Sequence, residues 1–357
     1  MKICVYAIAK NEMKFIDRWY NSVKSADYIC VLDTGSTDGS FEKFSSLGII
    51  VEQKKYDNFR FDTARNDSMK LIPKDADVCV CVDIDEYFLP GWTDIIKSVW
   101  KDDIGQIRYR YTWNFNPDGS EGIVFMADKI HKNGCYNWVN PVHEVLSKTS
   151  KNNLRTIDLP AIRLYHKADN TKSRASYLPL LELSVKENPT NDRNMHYLGR
   201  EYFFKKDYKN AIKTLKKHLC LKTSCWDAER SASYRYIAES YQAMNKPKLC
   251  EKNLLLSLAE CNRFREPFYE LGVFYFNNKQ YLKSAIAFLE MLKITNRELN
   301  YMSNPACWGS LPYDYLSMCF YYLKNYKKAV IYAQSALTLS NDIRIKRNLE
   351  VFKNLAK

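Results

Sequence analysis

One pattern recurs four times in the second half of the chain, and few folds can satisfy it. From about Lys172 onward a small residue stands at Gly199, Ala238, Gly272 and Ser317, at spacings of 39, 34 and 45. An apolar residue precedes each (Leu198, Ile237, Leu271, Leu316), and an aromatic follows three positions later (Tyr202, Tyr241, Tyr275, Phe320). Nine residues beyond the aromatics come Ala211, Cys250, Ser284 and Ala329. Tyr208, Tyr281 and Tyr326 recur where the chain should turn between paired helices. Strand signals vanish throughout this stretch. Recurrence at such a period predicts stacked helical units, each burying a face that its neighbour completes. Small residues at matched positions predict close approach of the two helices in a unit.

This spacing resembles the tetratricopeptide repeat. The last interval is long, so Asn296 to Leu311, with Pro305, Trp308 and Gly309, reads as an insertion. Arrays of this kind mostly bind partners on a concave surface.

The first half alternates instead. Short β-branched runs are expected as strands at Lys2 to Ala9, Tyr28 to Leu32, Ile49 to Glu52 and Asp77 to Val82. Helical spacing lies between them, at Phe15 to Ser25, Ser36 to Ser46 and Asp62 to Ile72. Such alternation indicates βαβ units on a parallel sheet. Ile107 to Trp113 and Gly122 to Ile130 read as a mixed or antiparallel extension. Two domains follow, residues 1–170 and 171–357, in a chain of 357 residues.

Charge divides at the same place. Residues 1–170 carry 23 Lys and Arg against 24 Asp and Glu, whereas 171–357 carry 31 against 17, a net +14. The basic half suits a polyanionic glycan, a lipid-linked intermediate at an anionic membrane face, or a peptide. No nucleic-acid-binding motif accompanies it. Eleven cysteines, without a CxxC frame, predict a reducing, cytoplasmic setting. The apolar runs fall short of a membrane span, and Lys10-Asn11-Glu12 interrupts the first of them too early for a secretory signal.

Three motifs fall where βα loops should fall. They are Ala7-Ile8-Ala9-Lys10-Asn11-Glu12 after the first strand, Asp33-Thr34-Gly35-Ser36-Thr37-Asp38-Gly39-Ser40 after the second, and Asp83-Ile84-Asp85-Glu86 after the fourth. Open α/β sheets bind ligands at the carboxyl ends of their strands. Asp83-Ile84-Asp85 is a DxD: one carboxylate can meet a ribose and the other a divalent metal, Mg²⁺ or Mn²⁺, bridging diphosphate oxygens.

With Ala64-Arg65-Asn66, these motifs make residues 1–170 resemble a family 2 nucleotide-sugar glycosyltransferase of GT-A fold. The two-part build is similar to bacterial peptide S-glycosyltransferases and cell-surface glycan transferases. The implied fold class is α/β plus all-α: an N-terminal GT-A (Rossmann-like mixed sheet) domain, then a tetratricopeptide-like domain. The resemblance implies roles. Asp33 would hydrogen-bond uracil, with the backbone near Ala7 and Ala9 cradling the base. Asn11 and Glu12 would shape that pocket, and Arg65 would face the base or the diphosphate. Asp83, with Ile84 beside it, would contact ribose and metal, Asp85 the metal, and His166 would be a third metal ligand.

An inverting transferase needs a base near the acceptor. Asn137 to Glu144 is the most loaded stretch: Glu144 is the first choice, while His143 either orients the donor or is itself the base. Trp138 offers a face to a sugar or to the core. Asp38 reads as a turn or cap residue, and His218 as surface or packing. The expected activity is therefore metal-dependent sugar transfer from a UDP-sugar. The alternatives are a repeat scaffold with a degenerate transferase domain, a peptide-specific transferase using the repeat groove, and a nucleotidyltransferase. The last normally carries a Gly-rich basic loop after strand one, which Lys10-Asn11-Glu12 is not.

Overall fold

The computed structural model describes residues 1–116, 118–169 and 177–357. Ten strands and four helices come first: β1 (Ile3–Ala9), α1 (Ile16–Val23), β2 (Tyr28–Asp33), α2 (Ser40–Ser46), β3 (Ile50–Gln53), α3 (Phe61–Met69), β4 (Val78–Cys81), β5 (Glu86–Phe88), α4 (Trp92–Val99), β6 (Ile104–Thr112), β7 (Val124–Lys132), β8 (Tyr136–Val139), β9 (Val145–Lys148) and β10 (Arg155–His166). Helices alone follow: α5 (Tyr177–Glu187), α6 (Asp192–Phe204), α7 (Tyr208–Cys220), α8 (Asp227–Ala243), α9 (Pro247–Glu260), α10 (Arg265–Asn277), α11 (Tyr281–Leu292), α12 (Leu311–Tyr322), α13 (Tyr326–Thr338) and α14 (Ile343–Leu355). None of the described helices is long and apolar enough to cross a membrane.

The chain forms two units. One is Met1–Ser184 with Leu299–Tyr301; the other is Val185–Glu298 with Met302–Lys357. The expected boundary at 170/171 lies outside the described residues.

In the first unit, β1 and β4 are apolar throughout because they run through the middle of the sheet, buried on both faces. The strand order is β3-β2-β1-β4-β7-β6-β10-β5. β1, β2, β3 and β4 pair in parallel; β7 then runs antiparallel to both β4 and β6, giving the mixed extension that the sequence suggests. From β1 the chain moves outward to β2 and β3, then returns to β4 on the other side of β1, so the order reverses between β1 and β4. β8 and β9 make a separate hairpin. The sequence reading contains neither α4, β5, β8 nor β9, and of β10 only the short apolar stretch ahead of His166: β5 is three residues long, and the first half of β10 is mostly exposed.

Eleven free thiols are consistent with the absence of a disulfide frame. Cys4, Cys30, Cys79 and Cys81 pack with Tyr6 and Trp138 beneath the sheet.

In the second unit, α6 pairs with α7, α8 with α9, α10 with α11, and α12 with α13. The small residues have a steric cause. A Cβ on Gly199 would stand 2.5 Å from the Leu215 side chain, and one on Gly272 would stand 2.8 Å from Phe288. Tyr208, Tyr281 and Tyr326 open α7, α11 and α13, as the recurrence predicts. The turns repeat too. Lys206, Asn245, Lys279 and Lys324 all adopt left-handed φ values of +55° to +61°, at the spacings of the small residues. Inside the insertion a 3-10 turn spans Pro305–Trp308.

Substituting Gly199→Ala should therefore force Leu215 aside and lower stability by roughly 1–3 kcal/mol, read as a shifted urea midpoint with unchanged slope.

Candidate functional site

The site begins at the carboxyl ends of β1 and β2, where two loops are stitched together. Asp33 is fully buried. Its Oδ1 accepts N–H bonds from Gly35 (2.8 Å) and Ser36 (2.7 Å) and one from the Gln53 amide (3.0 Å). The helix expected from Ser36 begins only at Ser40, because Gly39 before it is held in the left-handed region at φ +88°. Gly35 and Gly39 supply the positive φ values, +104° and +88°, that the loop needs. Asp33 Oδ2 is buried with no hydrogen-bond partner. A buried acceptor in that state is a place where a ligand donor is worth most.

Asn11, at φ +56°, donates its backbone N–H to Ser36 Oγ and accepts the Thr37 N–H on its side chain, both at 2.8 Å. The Glu12 N–H meets Ser40 Oγ. Asp38 accepts from Met13 N and from Ser40. Burial opposes ionisation of Asp38, but these hydrogen bonds outweigh it and lower its pKa. Its role as a turn residue is the expected one. Ala7 and Ala9 lie in the core cluster with Ile84, so these side chains hold the sheet together and only their backbone is near the loops.

The DxD sits between β4 and β5. Buried Ile84 anchors it, and the flanking carboxylates take different partners. Asp83 Oδ1 pairs with Arg65 Nη1 at 2.8 Å and Oδ2 with Lys129 Nζ at 2.8 Å. Burial would raise the Asp83 pKa, but these two cations drive it far below the ordinary carboxylate range. Lys129 also meets Glu86 Oε1 at 3.0 Å, which Tyr111 OH donates to as well. Lys129, on β7, was not expected here. In the sequence its one signal is a lysine inside the strand run Gly122 to Ile130, next to Ile130.

Arg65 is buried. Its Nε donates to Glu144 Oε1 at 2.5 Å, its Nη1 reaches Cys81 Sγ, and its guanidinium lies over the Trp138 ring. These contacts bear on three of the sequence readings, and for Trp138 they select the core alternative. Arg65 is a fixed internal counter-ion and not an open cation facing a diphosphate. Glu144, the first choice for the base, has its Oε1 held by Arg65 Nε. Trp138 is a core residue: it is 4% exposed and donates its Nε1–H to Tyr6 OH. His143 is half-buried at φ +51°, with its ring edge-on to Tyr177.

Asp85 and His166 meet across 81 residues because β5 pairs with β10, placing His166 opposite Glu86. His166 Nε2 lies 3.2 Å from Asp85 Oδ2, and Nδ1 lies 2.9 Å from the Trp113 carbonyl. That carbonyl holds the N–H on Nδ1 and leaves Nε2 to face Asp85, the orientation a metal-binding histidine needs. Burial lowers the His166 pKa, but Asp85 more than offsets it and raises it. An oxygen and an imidazole nitrogen this close fit a divalent cation. Asp83 does not join them, since both its oxygens are already held by cations. Asp83, Asp85 and His166 are thus one neighbourhood but not one three-ligand cluster.

No protein-family model matches the chain, and neither does any curated protein. Among solved structures, MamA is 19% identical over 45% of this chain and 85% of its own, at a TM-score of 0.37. YrrB, a TPR protein with an unusual peptide-binding site, is 15% identical over 50% and 82%, at 0.37. A Podospora anserina kinesin light chain with TPR-like repeats is 16% identical over 47% and 87%, at 0.37. Scores this low carry no argument about the site. The second unit is a TPR-like helical repeat on its own helix pairing.

Two outcomes follow. Glu144→Gln leaves the buried Arg65 charge with only one of its two anions, Asp83, and should cost roughly 1–3 kcal/mol, measured by denaturant unfolding. His131, bonded to Tyr6 OH at 2.8 Å, is the second. Burial lowers its pKa from 6.5 to about 4. A depressed folded value means the unfolded chain takes up the proton first. Stability is therefore full above pH 6.5 and lost as pH falls toward 4, by about 3 kcal/mol in all. Replacing His131 with Gln should flatten that part of the stability–pH curve.

Proposed function

We propose that the first unit is a metal-dependent, inverting glycosyltransferase domain. It would move a sugar from a nucleoside-diphosphate donor, UDP-sugar favoured, to a glycan, lipid-linked or peptide acceptor. The observation that carries this reading is the gathering of Asp33, Asp83, Asp85 and His166 at the carboxyl edge of the sheet, beside the reversal between β1 and β4. Open α/β sheets take their ligands at such a reversal.

Each residue has work under this reading. Asp33 Oδ2, buried and unpartnered, accepts the imide N–H of uracil. Asp83, kept ionised by Arg65 and Lys129, accepts from ribose hydroxyls. Asp85 and His166 would hold Mn²⁺ or Mg²⁺, which when bound neutralises the charge on the departing diphosphate. Glu144 positions Arg65 and through it Asp83. His143 takes the acceptor proton as the new bond forms at the anomeric carbon.

A second reading is a repeat scaffold with an inactive first unit. It draws on α11, where Leu282 and Ile286, one helical turn apart, are 61% and 52% exposed. That apolar surface, in the half with net charge +14, suits a partner that is both apolar and acidic.

A donor screen separates the two. The full chain with Mn²⁺ is tested against UDP-, GDP- and dTDP-sugars for diphosphate release and thermal shift. One UDP-sugar should raise the melting temperature in a metal-dependent way. Asp33→Asn should weaken that response, and Asp85→Ala should abolish it. His143→Ala should lower turnover at unchanged donor binding. No response to any donor would overturn the transferase reading in favour of the scaffold.

A further inference from the structure

The first helices of the repeat contain a polar cluster that neither the proposed transfer nor ordinary repeat packing requires. His196 on α6, His218 on α7 and Glu229 on α8 are all buried. Each offers a ligand atom, and these atoms lie within 4.8 Å of one another; among the described residues they are the group of three that meets this condition. The sequence reading placed His218 as surface or packing, and its burial corrects the first of these.

The orientation of the rings is the telling feature. Ser233 Oγ lies 2.8 Å from His196 Nδ1 and 2.9 Å from His218 Nδ1. One hydroxyl thus engages both imidazoles through the same kind of nitrogen. The Nε2 atoms are left for something else. His218 Nε2 is 3.2 Å from Glu229 Oε1 and 3.0 Å from Ser224 Oγ. His196 Nε2 is buried with no hydrogen-bond partner. Bonds of about 2.0–2.1 Å to a tetrahedral ion would put neighbouring ligand atoms roughly 3.3 Å apart, which the His218–Glu229 separation already matches.

We propose that His196, His218 and Glu229 form a structural transition-metal site, selective for Zn²⁺, that ties α6, α7 and α8 together. Ser224 Oγ, 3.0 Å from His218 Nε2, is a fourth donor atom within reach, and Ser233 orients both rings. Two imidazoles and one carboxylate are a borderline-soft donor set that favours zinc over Mg²⁺ or Mn²⁺. Because the cluster is buried, the ion is captured as the unit folds.

The test uses the full chain, unfolded with chelator and refolded with one equivalent of Zn²⁺ or Co²⁺. Retained metal should reach about one ion per chain, and the Co²⁺ form should show the intense visible bands of tetrahedral coordination. His196→Ala and Glu229→Gln should each weaken retention about tenfold or more. If the variants do not refold, the Co²⁺ spectrum of the unaltered chain decides. No retained metal, weak six-coordinate bands, or equal retention in both refolded variants would overturn the site and leave a hydrogen-bonded core cluster.

Discussion

The first unit is organised around one buried guanidinium. Arg65 comes from α3, and a charge taken out of water must be paired or it is very costly. It is paired twice, with Asp83 after β4 and Glu144 before β9, and it rests on Trp138 of β8. The helix, the central strand and the hairpin are therefore locked by a single side chain. The same contacts set where Asp83 points. Lys129 completes the arrangement from β7, so the first carboxylate of the DxD is held by cations from two elements before any ligand arrives.

The pairing also leaves a charge imbalance. Arg65 and Lys129 face Asp83, Glu86 and Glu144, and Asp85 adds a fourth carboxylate next to His166. More anions than cations converge on one end of the sheet. In a metal-free chain His166 can offset part of that excess by holding a proton, which is why Asp85 raises its pKa. A divalent cation would do the same work more completely. The two DxD carboxylates are thus not interchangeable: Asp83 belongs to the protein's own ion-pair network with Arg65 and Lys129, and Asp85 faces the imidazole of His166.

The second unit rests on a different constraint, steric and periodic. Gly199 and Gly272 let one helix of a pair approach the other to a distance that a methyl group would prevent. Left-handed residues at Lys206, Asn245, Lys279 and Lys324 reverse the chain at the same place in each unit. At three of the four turns that residue is lysine, which shows that stacking of the paired helices outweighs the cost of that conformation.

Much of this was legible in the residues. Hydrophobic runs located β1 to β4, β6 and β7, and the recurrence of small and aromatic residues located the helix pairs, because both are local periodicities. The DxD and the Asp33 loop were legible by their position after apolar strands. Tertiary structure alone decided what those groups do. Asp85 meets His166 only because β5 pairs with β10. Glu144 becomes the partner of Arg65, and Trp138 a core residue, only because the β8–β9 hairpin packs against α3. His196, His218 and Glu229 converge from three helices. Sequence carries spacing along a chain, whereas the charge state and partners of a carboxylate or imidazole depend on what folding brings within a few ångströms of it.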